Sequence, residues 1–118
     1  MALTARTSTH IEPFIPLSEL DSKDPFTAQI RSLSTLELLA LKDTLTSLDH
    51  LGTPIVQAGR FDIDVCSLAI QSWENLLDAD GNAVAITRFN GKVDIKSLNL
   101  LPIEIISEIA EQVITIST

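Results

Sequence analysis

The sequence predicts an α+β fold: a single, mainly α-helical domain of about three helices, with a small β-hairpin and an extended N-terminal arm. Three observations predict it. Apolar residues recur at steps of three and four along three separate stretches, as amphipathic helices require. Asn90-Gly91 stands between two alternating segments, the strongest local signal for a hairpin. Pro13, Pro16 and Pro25 interrupt the first 25 residues, where no period is sustained. The chain therefore divides into an arm over 1–25 and one compact domain over 26–118, with a further short strand at Phe26–Arg31.

Each element has a local cause. In the arm, Ile11, Phe14, Ile15, Leu17 and Leu20 are apolar and free to dock on the body or on a partner. The stretch Phe26-Thr27-Ala28-Gln29-Ile30-Arg31 alternates with period 2, as a half-buried strand does. Ser34-Thr35-Leu36-Glu37 is a capping box, in which a serine hydroxyl and a glutamate satisfy the first free N–H groups of a helix. Leu38, Leu41, Leu45 and Leu48 continue that helix to about Leu51, where Gly52-Thr53-Pro54 ends it. A second helix is expected to begin near Asp62 or Asp64, with Val65, Cys66, Ala69, Trp73, Leu76 and Leu77 as its apolar face. The two aspartates suit the positive end of its dipole. The last helix starts at Pro102, which has no N–H to lose there, and Ile103, Ile106, Ile109, Ala110, Val113 and Ile114 form its stripe.

Between these helices lies Leu77-Asp78-Ala79-Asp80-Gly81-Asn82, which resembles the start of a calcium loop. An EF-hand loop needs oxygens at positions 1, 3 and 5, glycine at 6 and glutamate at 12. With Asp78 first, the glycine comes too early and Phe89 stands where the glutamate belongs; with Gly81 as the sixth residue, Leu76 is first. The segment therefore reads as a turn. Beyond it, pairing Phe89 with Lys92 puts Val84, Ile86, Val93 and Ile95 on one face of the hairpin. Thr87, Phe89, Lys92 and Asp94 share the other.

Composition narrows the function. The chain has 118 residues, 45% of them hydrophobic and only 4% aromatic, with a formal net charge of −8. That hydrophobic content is globular and its core aliphatic. The acidic balance argues against nucleic acid, whose phosphates are neutralised by Lys and Arg. Cys66, the lone cysteine, leaves no partner for an intrachain disulfide and fits a reducing cytosol. No stretch of about 18 apolar residues occurs and the start has no signal-peptide core, so a soluble, cytoplasmic protein is expected, with no membrane partner.

Catalytic constellations are not expected. His10 and His50 have no zinc-ligand spacing around them, the four glycines lie too far apart to cradle a phosphate, and neither Asp62/Asp64 nor Asp78/Asp80 can flank a substrate. No metal or cofactor is expected. The candidate functional residues are instead protein-binding: Arg88, Phe89, Lys92 and Lys96 at the hairpin, the one basic cluster in an acidic chain, and Phe14 and Ile15 in the arm.

The order of segments carries a family resemblance. The arm is followed by PFTAQIRSLSTLELLALKD, then SWENLLDADGN, then LNLLPIEIISEIAEQV. This succession resembles small tail-assembly proteins of long-tailed bacteriophages, which show a strand leading into L-S-x-x-E, a W-E-x-x-x-D-x-D-G turn, and L-P before an amphipathic helix. The matching residues are Leu33, Ser34, Glu37, Trp73, Glu74, Asp78, Asp80, Gly81, Leu101 and Pro102. The likeness spans about residues 14 to 114, and the hairpin around Asn90-Gly91 departs from it by being longer than a plain loop. The resemblance implies a non-catalytic tail assembly chaperone acting in the host cytoplasm, with the tape-measure or tail tube protein as partner. The alternative is a minor structural protein retained in the virion at the neck, tail or capsid surface.

Overall fold

A computed structural model describes the chain over residues 9–48, 54–56 and 58–118, by backbone alone at 44–48, 54–56 and 58–59. In chain order the elements are β1 (Ile11–Phe14), a 3-10 turn at Leu17–Glu19, β2 (Thr27–Arg31), α1 (Thr35–Leu45), β3 (Thr46–Leu48) and β4 (Pro54–Val56). There follow α2 (Ala58–Ala69), β5 (Ile70–Glu74), β6 (Arg88–Phe89), β7 (Lys92–Val93), α3 (Ile95–Leu98) and α4 (Ile103–Ser117). The fold is mixed α+β, with four helices among the described residues. The expected helices are present, and α3 is an additional short one.

A three-stranded antiparallel sheet in the order β1-β2-β5 organises the core. Alternation in β2 buries Ala28 and Ile30, and Phe26 just before it meets the Trp73 ring at 6.3 Å and 53°. Helix α4 lies against β2, α2 packs along α4, and α1 packs on α2. Their buried faces supply Leu41 from α1, Val65, Cys66 and Ala69 from α2, and Ile105, Ile106, Ile109, Ala110 and Val113 from α4. At the far end of α4 the Ser117 hydroxyl accepts from Leu33 N–H at 2.8 Å, tying the helix to the segment between β2 and α1.

The region expected to be an arm is part of this sheet. Ile11 pairs with Arg31 and Phe14 with Ala28, while Gln112 Nε2 donates to Glu12 Oε1 at 3.2 Å and Leu17 N–H to Glu108 Oε2 at 3.1 Å. Its boundary near residue 25 therefore separates no independent unit among the described residues. Because Ser32 N–H donates to His10 C=O, the alternation of an antiparallel ladder leaves Ile11 and Pro13 facing outward. Proline has no N–H to offer there, which blunts the open edge.

The capping box forms as expected. Glu37 N–H donates to Ser34 Oγ at 3.2 Å, and Ser34 N–H donates to Glu37 Oε1 at 2.9 Å. Helix α1 nevertheless stops at Leu45, short of Leu51, and the backbone turns into β3, which pairs with β4. His50 and the Gly52-Thr53 stop signal lie outside the described residues, as do the side chains of Leu45 and Leu48.

The largest correction concerns the second helix. It begins at Ala58, so Asp62 and Asp64 sit within it and do not cap it, and it ends at Ala69. Ile70–Glu74 is strand β5. The register against β2 slips between Gln29 and Ile30, so that Ser72 pairs with Gln29 but Ile70 with Ile30. That bulge at Gln71 turns Ile70 and Trp73, three residues apart, to the same buried side. A bulged strand thus imitates helical spacing. Asn75, with φ 63°, ends the strand, and its side-chain amide donates to Pro25 C=O at 2.9 Å.

Candidate interaction surface

The LDADGN segment is a turn, as expected. Asp78 Oδ1 accepts from Asp80 N–H at 2.9 Å and from Asn82 N–H at 3.0 Å, and Gly81 adopts φ 82°. Leu77 and Ala83 bridge across its base.

At the hairpin, Asn90 and Gly91 have φ 53° and 77°, and Phe89 pairs with Lys92. Val93 is buried and Phe89 is 70% exposed, which matches the expected faces. Ile95 does not stay on the inner face. The Asp94 side chain accepts from Lys96 N–H at 3.1 Å and caps α3, which carries Ile95 out of the strand to 67% exposure.

The hairpin cations do different jobs. Arg88 Nη1 donates to Ile70 C=O at 3.1 Å and to Gln71 C=O at 3.2 Å, and its Nη2 to Gly91 C=O at 2.9 Å. It straps the hairpin to the outer edge of β5 at the bulge, where the ladder leaves carbonyls unpaired. Lys92 is exposed and borders a depression with Glu37, Asp64 and Ser67. Lys96 is exposed on α3. Phe14 is partly buried and lines, with Ile15, a shallow depression against Glu108 and Glu111 of α4. Since β1 and β5 are opposite edges of the sheet, the arm pair and the Arg88 strap are not brought together.

A more continuous apolar surface lies elsewhere. Helices α2, α3 and α4 enclose a groove of about 290 Å³, with Leu98, Leu101 and Ile106 as its floor and Ile63, Ile95 and Ile103 on its rim. Ile103 is 75% exposed, against its expected place in the buried stripe, where Ile105 is found. Asp62 and Ser107 close one end, the Ser107 hydroxyl donating to Asp62 Oδ2 at 3.3 Å. A second depression of about 390 Å³ shares that pair and continues past Phe61, Ala110 and Ile114.

The sequence held one signal for this groove. Eight apolar residues crowd α4 between Ile103 and Ile116, more than a single stripe can turn inward. Burial pushes the Asp62 carboxyl above its usual range, with the Ser107 hydrogen bond opposing. Cys66, one turn further along α2, is buried as expected. Its thiol donates to Ile106 C=O at 3.4 Å and is pushed up to about 12, by burial first and by nearby Asp62 second. It is a neutral, small core residue.

No helix among the described residues is long and apolar enough to cross a membrane. Searches for matching family models, curated proteins and solved structures returned no match to this chain.

Proposed function

We propose that this chain is a non-catalytic protein-binding domain of long-tailed phage tail assembly, a chaperone that holds an apolar segment of the tape-measure or tube protein in the host cytoplasm. One observation carries the binding reading. Ile95 and Ile103 are each more than half exposed on the rim of an apolar groove whose floor is the domain core. Large aliphatic side chains clustered this way mark a site that another protein covers. The phage setting rests on the segment order from Leu33-Ser34 through Trp73-Glu74 to Leu101-Pro102.

The test is coexpression with the tape-measure and tube proteins encoded in the same genome, together with mass spectrometry of purified particles. The client should remain in the soluble fraction only with this chain present, and the double variant Ile95→Ser/Ile103→Ser should lose that effect. The chain itself should be absent from purified virions. A fixed number of copies per particle would favour the retained structural protein instead, and a client equally soluble without it would end the chaperone reading.

A further inference from the structure

We infer that the groove between α2, α3 and α4 takes an amphipathic helix carrying a lysine or arginine within its apolar stripe, with the cation seated on Asp62. The inference rests on the protein-binding reading above and names the chemistry of the partner.

Three features of the site select this occupant. The groove and the depression that continues it lie along α4 from Ile103 to Ile114, a rise of about 17 Å, or roughly three turns of a docked helix. Among the described residues the charged side chains lining the two are Asp62 and Glu111, both acidic, in a chain of net charge −8. No cation pairs with Asp62 among the described residues. Among the described residues its carboxylate meets only the Ser107 hydroxyl, and the nearest cation along α2, Arg60, pairs with Asp64 at 4.0 Å.

A carboxylate between two apolar depressions, partly withdrawn from water, selects a complementary charge at that point and rejects a carboxylate. Burial already disfavours its ionised form, as the upward push on its titration reflects, and a docked ammonium or guanidinium would reverse that balance. The long stem of Lys or Arg suits the place, since its methylenes can lie on Ile63 and Ile106 while the head reaches Asp62.

The probes are end-capped designed peptides of about fifteen residues, long enough for the groove. They are built from Ala, Gln and leucines spaced three and four apart, with Lys, Gln or Glu at the centre of the stripe. Binding to the full chain is followed by fluorescence anisotropy. The Lys peptide should bind about tenfold more tightly than the Gln peptide, and the Glu peptide most weakly. Asp62→Asn should reduce the Lys-to-Gln preference to about twofold or less while leaving the melting temperature near wild type. Ile103→Ser should weaken all three peptides together. Equal binding of Lys and Gln peptides, or a preference that survives Asp62→Asn, overturns the role of Asp62. The groove reading stands in that case if Ile103→Ser still weakens binding. Failure of every peptide to bind, or indifference to Ile103→Ser, overturns both.

Discussion

Replacing Glu37 by Gln isolates the polar node that joins the sheet to α1. Arg31 donates from Nη1 to Glu37 Oε1 at 2.9 Å and from Nη2 to Oε2 at 2.8 Å, a two-pronged pair on side chains that are three-quarters covered. The same carboxylate accepts Ser34 N–H in the capping box. These bonds, the Arg31 pair first, hold the Glu37 carboxyl at about 2 in place of 4.5, against the opposing effect of its own burial. A difference of that size sets a ceiling of about 3 kcal/mol. Water still reaches both side chains, and screening reduces the expected contribution to about 1–2 kcal/mol.

Glutamine keeps the shape and can still accept from Ser34 N–H, so Glu37→Gln removes mainly the charge. A chain of this length loses about 4 °C of melting temperature per kcal/mol, which predicts a drop of about 4–8 °C at pH 7. A carboxyl whose titration is depressed by folding stabilises the protein above its ordinary value and loses that contribution as pH falls. The gap between wild type and Glu37→Gln should therefore be full at pH 6–7, shrink below about 4.5, and close near 2. Melting both proteins by circular dichroism across that range reads it directly. Equal melting temperatures at pH 7, or a gap unchanged at pH 3, would refute the electrostatic account of this node.

The hairpin and core offer two further tests. Arg88→Ala should cost about 1–3 kcal/mol by releasing carbonyls of Ile70, Gln71 and Gly91, whereas exposed Phe89→Ala should stay within about 0.5 kcal/mol. Thermal melts of the two single variants decide it, and a large loss for Phe89→Ala with none for Arg88→Ala would invert the assignment. Ile106, 8% exposed on the groove floor, should not tolerate aspartate, because an unpaired carboxylate there costs several kcal/mol, comparable to the stability of a small domain. Ile106→Asp should be unfolded or aggregated by gel filtration and circular dichroism, and a wild-type melt would show that the floor is open to water.

What the sequence by itself determined was local. The Ser34–Glu37 cap, the β2 alternation, the Asp78 turn, the Asn90-Gly91 reversal and the Pro102 helix start were legible because each is set by a handful of neighbouring residues and their φ/ψ or hydrogen-bond preferences. Partners distant in sequence decided the rest. Ile70 and Trp73 keep helical spacing, yet β2 draws them into a bulged strand, because a ladder along Thr27–Ile30 satisfies their backbone where another helical turn would leave the β2 edge open. The bracing role of Arg88 became visible only where the fold brings the Ile70 and Gln71 carbonyls of β5 within its reach. The groove is the clearest case. Periodicity assigned Ile95 and Ile103 to the interior, but the Asp94 cap and the first turn of α4 hold both at the surface, beside an Asp62 that only the packing of α2 on α4 brings to Ser107. A one-dimensional pattern records that a residue is apolar; whether anything covers it depends on how elements far apart in the chain pack together.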